Sequence, residues 1–211
     1  MREHPIPSVI EPLQYRAIGI VRGIYCPSEL NEFTRGKLID EIGAEVETVV
    51  LGRVLNLMKR HIDMQKSHLW IVYPRCRESN YLHLQIAGVW EPSTLSVSSN
   101  ENKSADKNSN KLKSIVKDEL PEGDDYFSIR GELIYTKPQT SDLIIRIRQK
   151  AKNNGKRQSP FKLYLKGDLP IDKLRNFVEL HVRRKGQELH VENFDFIGPI
   201  ATRGGKKKSN N

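Results

Sequence analysis

The sequence has few of the residues that announce a specific chemistry. Its 211 residues include two cysteines, two tryptophans and three methionines, and aromatic residues make up 7% of the chain. Cys26 and Cys76 lie fifty positions apart. This spacing suits neither a disulfide framework nor a zinc site, so we interpret both as ordinary buried or half-buried thiols. We accordingly predict no metal and no cofactor.

Long apolar segments are also missing. No run of 18 or more apolar residues occurs, which excludes a membrane-spanning helix. The first five residues, Met1 to Pro5, lack the apolar stretch of a secretory signal. We therefore expect a soluble cytoplasmic protein that does not engage a membrane.

Catalytic motifs are absent as well. The six histidines are scattered, and the chain has no His-Glu-x-x-His spacing, no phosphate-binding glycine loop and no Gly-x-Ser-x-Gly turn. Acidic neighbours such as Asp168 and Asp172 are better explained as helix caps and solvated faces than as acid–base pairs. We predict that the protein is not an enzyme.

Positive charge is present in excess, and it is confined to one part of the chain. The formal net charge is +9. Residues 1–92 sum to zero, residues 93–125 to −2, and residues 126–211 to +11. This step in charge favours two domains with different partners.

Composition divides the chain into five parts. Residues 93–125 contain no aromatic residue, seven Ser and twelve charged residues, which is too little apolar surface to order a chain, so we predict a flexible linker there. Residues 1–14 hold three prolines and are expected to form an extended arm. Residues 201–211 are expected to be a disordered basic tail. The folded domains are then residues 15–92 and 126–200.

The second domain has the pattern of an OB-fold. Period-two alternation predicts strands at residues 127–135, 143–150, 161–166, 178–183 and 188–194. A short connector, 168–174, separates the third strand from the fourth. Three strands, a connector and two strands in about 75 residues match the five-stranded Greek-key barrel of the OB-fold.

The first domain reads as a copy of the second. Residues 16–27 align with 127–138, 46–51 with 161–165, 69–75 with 178–184 and 81–92 with 188–199. Its connector is longer, because Val54, Leu57, Met58, His61 and Ile62 form one apolar stripe on a helix. We predict a mainly β protein of two tandem OB-like barrels, the first with the longer helix, joined by a disordered linker.

The outward faces of the second domain are basic. Leu143, Ile145 and Ile147 alternate with cations on the second strand, and the third strand repeats this arrangement. Strands two and three of OB-folds bind oligonucleotides. The predicted nucleic-acid site consists of Arg130, Arg146, Arg148, Lys150, Lys152, Lys156, Arg157, Lys162, Tyr164, Lys166, His181 and Arg183.

These residues favour a non-catalytic protein that binds RNA or single-stranded DNA with low sequence specificity. Cations neutralise phosphates, and Tyr164 offers a ring on which a base can stack. The neutral first domain, with Trp70 and Trp90, is expected either to pack these rings in its core or to contact a protein partner or a second copy. The alternative function is a protein adaptor or complex-assembly factor that uses both barrels.

Two stretches of the first domain carry a resemblance to a known family. His68-Leu69-Trp70-Ile71-Val72-Tyr73-Pro74-Arg75 and Gly88-Val89-Trp90-Glu91-Pro92 resemble a family of uncharacterised cyanobacterial proteins. Residues 126–200 are similar to OB-fold nucleic-acid-binding proteins in the order of their elements. The resemblance implies an OB-fold and supplies no further site residue.

Overall fold

A computed structural model describes residues 4–30, 32–77, 81–92, 119–149, 155 and 158–200. The first half contains β1 (Arg16–Glu29), β2 (Glu32–Ile39), β3 (Glu45–Val50), helix α1 (Gly52–His61), β4 (His68–Arg77) and β5 (Tyr81–Val89). The second half contains β6 (Tyr126–Lys137), β7 (Asp142–Ile147), β8 (Phe161–Lys166), β9 (Asn176–Lys185) and β10 (Glu188–Pro199). Every predicted strand is therefore present, with shifted ends.

Both halves have the same strand order. In the first, β1 pairs with β2 and β4, β2 with β3 and β4 with β5, all antiparallel, whereas β3 and β5 run parallel. In the second, β6 to β10 repeat this scheme, with β8 and β10 as the parallel pair. This is the closed Greek-key order of an OB-fold, so the prediction of two tandem barrels is confirmed.

The alternating pattern correctly predicts which side chains fill the barrels. Leu143, Ile145 and Ile147 on β7 are all at most 4% exposed. In the first barrel Trp70 is fully buried, and its indole Nε1 donates to the carbonyl of Gly23 at 2.9 Å. Trp70 is therefore a core residue, and its one polar atom is satisfied.

The connector between the third and fourth strands differs between the barrels, as predicted. In the first barrel α1 buries Val54 and Met58 in the core, while Leu57 stays more than one third exposed. In the second barrel a single 3₁₀ turn, Ile171–Lys173, takes its place. Leu169, just before that turn, supplies the buried side chain.

The two barrels join through their first strands. β1 and β6 pair antiparallel from Arg16 opposite Arg130 to Gly19 opposite Phe127, which makes all ten strands one continuous sheet. A Cβ atom on Gly19 would lie 2.2 Å from the Phe127 ring, so this close approach requires glycine. Because each partner is the first strand of its barrel, an approximate two-fold rotation relates the barrels.

The sequence alignment of the two first strands was wrong by three residues. Gly23 and Gly131 are the equivalent positions. Each comes just before the first residue that pairs with the following strand. At each, an added Cβ atom would clash with a backbone oxygen of that following strand. Alternating apolar patterns can be aligned at several offsets. A glycine that close backbone contact requires can be aligned at only one.

The predicted N-terminal arm and the last residues of the predicted linker both pack between the barrels. Ile6 of the arm joins Ile20, Leu69 and Tyr126 in a buried cluster, and Leu120 packs against it. His4 contacts Glu122 at 3.0 Å. Residues 119–125 thus belong to the folded structure. Residues 93–118 of the predicted linker and the predicted tail, 201–211, lie outside the described residues.

A buried arginine holds the second barrel to the first. Arg184 on β9 is 4% exposed, and its guanidinium binds Asp40 and Asp125, each at 2.7 Å. Asp40 lies in the turn between β2 and β3, while Asp125 immediately precedes β6. Burial raises the pKa of Asp125, and Arg184 opposes that rise.

Replacing Arg184 with Met should destabilise the protein by about 3 kcal/mol, because two largely buried carboxylates lose their counter-ion. Urea unfolding of the full chain measures the change. Lys185→Met, at the exposed neighbour, is the matched control and should cost less than about 0.5 kcal/mol. Equal unfolding midpoints for the two variants would show that Arg184 does not hold the barrels together.

Candidate nucleic-acid interface

Five of the predicted site residues share one surface, the outer face of β7 and β8. Arg146 and Arg148 lie on β7 and at its end, and the antiparallel register places Arg146 opposite Lys162 and Asp142 opposite Lys166. Tyr164 stands between the two lysines on β8. We call Arg146, Arg148, Lys162, Tyr164 and Lys166 the basic face.

The two arginines of the basic face are fixed by a buried carboxylate. Glu132 on β6 is 2% exposed, and it accepts hydrogen bonds from Arg146 Nη1 at 3.2 Å and Arg148 Nε at 2.6 Å. The Tyr15 hydroxyl donates to the same carboxylate, and burial together with this bond raises the pKa of Tyr15 to about 12. Two guanidinium charges against one carboxylate leave this group net positive.

The lysines differ in their partners. Lys166 donates to Asp142 at 2.7 Å, and this bond raises the lysine's pKa and lowers that of the carboxyl. Lys162 is exposed and forms no ion pair with any residue that the structure describes. Lys162 is thus the cation of the basic face that, as far as the described residues show, has no carboxylate partner to lose when a ligand binds.

Sequence reasoning missed both acids on this face. Asp142 begins β7, one residue before the predicted strand, and Glu132 comes from the neighbouring strand β6. Only the pairing register of β6 with β7 places Glu132 beside the arginines, and the alternating pattern does not determine that register. The basic face is therefore less positive than its four cations alone indicate.

Arg130 does not extend the basic face. It is 4% exposed, and its guanidinium donates to the carbonyls of Pro12 at 2.5 Å and Gln14 at 3.2 Å and pairs with Glu179. The N-terminal arm lies over this part of β6. It divides the surface that the sequence predicted as continuous.

His181 and Arg183 lie beyond the arm on β9, apart from the basic face. His181 Nδ1 contacts the Tyr126 hydroxyl at 2.7 Å. Arg183 donates to both carboxylate oxygens of Glu192, each at 3.0 Å, and to the carbonyls of Glu122 and Asp124. Both side chains thus secure residues 122–126. Four other predicted site residues lie outside the described part of the chain: Lys150, Lys152, Lys156 and Arg157.

A cleft of about 590 Å³ opens at one end of the basic face. Tyr164 and Lys166 line it together with Tyr135 from β6 and Tyr81 from β5 of the first barrel. Tyr81 and Tyr135 are each more than 40% exposed. Besides the predicted Tyr164, the cleft thus offers two further rings, and that of Tyr81 comes from the neutral domain.

A second cavity, of about 540 Å³, lies at the opposite end of β8, and we call it the inter-barrel groove. It lies between the arm, the first barrel and the end of β7. The aromatic and cationic residues that line it include Tyr15, Arg16, Tyr73, Arg75, Arg148 and Phe161. The Arg75 guanidinium stacks over the Phe161 ring with its carbon 3.9 Å from the ring centre.

The equivalent outer face of the first barrel is mixed in charge. Lys37 pairs with Glu45 at 2.6 Å, and Arg77 approaches Glu47 to 3.8 Å. A small cavity of about 160 Å³ there is lined in part by His83, which is 7% exposed. Burial, together with nearby Arg77 and Arg75, lowers the pKa of His83.

Other kinds of site find no support within the ranges that the structure describes. No three His, Cys, Asp or Glu side chains gather there in a way that could hold a metal ion. No helix in those ranges has the length and apolarity to cross a bilayer.

Family models match both barrels. Residues 17–97 match the N-terminal OB-fold domain of the PatR RNA-binding protein, and residues 129–198 match a C-terminal cyanobacterial OB-fold-like RNA-binding domain. Together they cover more than two thirds of the chain. The chain belongs to this cyanobacterial OB-fold family. The resemblance seen in the sequence is thereby confirmed, and both family descriptions are of binding domains rather than enzymes. No curated protein matches the chain.

The buried His83 of this family member should make the first barrel sensitive to acid. Its folded-state pKa is lowered, so the unfolded chain binds a proton more readily. Stability should therefore fall as the pH drops through the unfolded-state value of about 6.5.

His83→Gln should reduce the fall in the free energy of unfolding between about pH 8 and about pH 5, two values that bracket the histidine pKa. Urea unfolding at each pH measures it. His61→Gln, on the exposed surface of α1, is the control and should leave the pH dependence unchanged. An unaltered pH dependence in His83→Gln would contradict the assignment.

Proposed function

We propose that the protein binds single-stranded RNA, or single-stranded DNA, through the basic face, without catalysis and with little sequence preference. The observation that carries this proposal is the position of the basic face on β7 and β8. These are strands two and three of the barrel, the surface with which OB-folds bind oligonucleotides. The RNA-binding descriptions of both matching families support RNA as the ligand.

On the basic face, cations contact the phosphates and tyrosine rings contact the bases. Lys162, Arg146 and Arg148 are placed to contact phosphates, and the two arginines are held ready by Glu132. The three tyrosines of the cleft offer flat surfaces on which bases stack. Every base has such a surface, and phosphates are the same along the strand, so this combination implies low sequence specificity.

Arg146 and Arg148 are poor positions for testing the proposal by charge reversal. An acidic residue at either would face buried Glu132 and destabilise the barrel, so lost binding would be ambiguous. Lys162 has no such partner among the described residues. It therefore reports on binding alone.

Lys162→Ala should weaken RNA binding. It should also make the negative slope of log K against log salt shallower by about 0.7, the value for one lost phosphate contact on a single strand. Fluorescence anisotropy of a labelled oligouridine over a salt series measures it. Lys66→Ala, in the exposed loop after α1, removes the same charge and should leave the slope unchanged. An unchanged slope in Lys162→Ala would place the phosphates elsewhere.

Tyr164→Leu should cost about 1–3 kcal/mol of binding free energy, because a stacked base loses its aromatic surface. Tyr164→Phe keeps the ring and should bind nearly as well as the unmodified protein. If the two variants bind equally, base stacking on this side chain is ruled out. A pull-down from a cell extract tests the protein-adaptor alternative. Proteins that stay bound to the chain after nuclease treatment would favour that alternative.

A further inference from the structure

We propose that the bound strand continues past the basic face into the inter-barrel groove, where Arg75 and Tyr73 of the first barrel form a second nucleotide subsite. This inference rests on the proposed function of the basic face. It assigns a role in nucleic-acid binding to the neutral domain, whose net charge of zero did not predict one.

The two cavities lie at the two ends of one strand. β8 begins at Phe161, which lines the inter-barrel groove, and ends at Lys166, which lines the tyrosine cleft. Six residues of strand span roughly 20 Å. A single strand that follows β8 across the basic face therefore reaches both cavities, and Arg148 belongs to both the face and the groove.

Arg75 is an arginine that lacks a counter-ion within the described part of the chain. Its guanidinium stacks on Phe161 and donates to the carbonyl of Pro74 at 2.8 Å, and no carboxylate of the described residues pairs with it. Burial lowers the pKa of Arg75, and nearby Tyr73 opposes that fall. Holding a half-buried cation in this state is costly, and a phosphate in the groove would relieve that cost.

A second arginine of the groove, Arg16, differs from Arg75 in its partners. Arg16 Nε is buried and has no hydrogen-bond partner among the residues described. The rest of its guanidinium donates to Ser128 Oγ at 2.6 Å and to the carbonyl of Pro7 at 2.8 Å, and it pairs with Glu179 at 3.3 Å. Arg75 is thus the groove arginine that pairs with no carboxylate of the described residues, and its charge favours an anionic ligand in this cavity.

The aromatic side chains make a nucleotide the occupant that fits best. The ring of Tyr73 lines the same cavity, and its hydroxyl accepts a hydrogen bond from Arg53 Nη2 at 3.4 Å. A phosphate meets Arg75, and the attached base has the tyrosine ring beside it. An acidic peptide would satisfy the cations but leave the aromatic surface without a planar partner.

The test uses the full chain and labelled oligouridines of two lengths, about 4 and about 12 nucleotides, both within the range of OB-fold site sizes. Arg75→Gln and Tyr73→Leu should each weaken binding of the longer oligomer by about tenfold or more, the loss of one charge-assisted contact or one stacked base. Binding of the shorter oligomer should be unchanged. Arg60→Gln, on the exposed side of α1, is the matched control and should bind both lengths normally.

The outcomes separate the two proposals. If the unmodified protein binds neither oligomer, the proposed function of the basic face fails. If it binds the longer oligomer and both variants bind it equally well, only the second subsite is overturned. Lys162→Ala should weaken both lengths, which distinguishes loss of the face from loss of the groove.

Crosslinking provides a readout that does not depend on variant stability. A 4-thiouridine oligomer irradiated in complex with the unmodified chain should attach to peptides from β4, which contains Tyr73 and Arg75, as well as to peptides from β8. Mass spectrometry locates the attachment. Crosslinks confined to β7 and β8 would overturn the inference.

Discussion

The antiparallel pairing of β1 with β6 is the constraint on which the rest of the molecule depends. It makes two closed barrels into one ten-stranded sheet, and it works because Gly19 leaves room for the Phe127 ring. Flanking ion pairs reinforce it on both sides. Arg22 pairs with Asp124 at 2.8 Å, and Arg16 pairs with Glu179 at 3.3 Å.

The parts of the candidate site that both barrels line follow from that pairing. The barrels meet at an angle that brings Tyr81 to the cleft beside Tyr164 and sets Arg75 over Phe161. The crevice that remains between them is filled by the arm and by residues 119–125. The first barrel supplies Tyr81 to the cleft and Tyr73 and Arg75 to the inter-barrel groove, so the neutral domain lines both cavities.

Much of the fold could be predicted because β alternation and duplication are local, repeated signals. Leu143, Ile145 and Ile147 identified the core face of β7, and the same pattern placed Arg146, Lys162 and Tyr164 on one outer face. Burial of Arg130 could not be predicted, because it depends on Pro12 and Gln14 more than a hundred residues away. The neutralising role of Glu132 depends on strand register, which the sequence pattern leaves undetermined.

The approximate two-fold axis through the β1–β6 pairing gives the chain the architecture of a dimer whose protomers are covalently linked. In a dimer of identical subunits every substitution appears twice, so a charged face on one copy would be repeated on the other. Linking the copies removes that restriction. Residues 126–211 carry a charge of +11 while residues 1–92 stay neutral, which is a division of labour that a symmetric assembly could not reach.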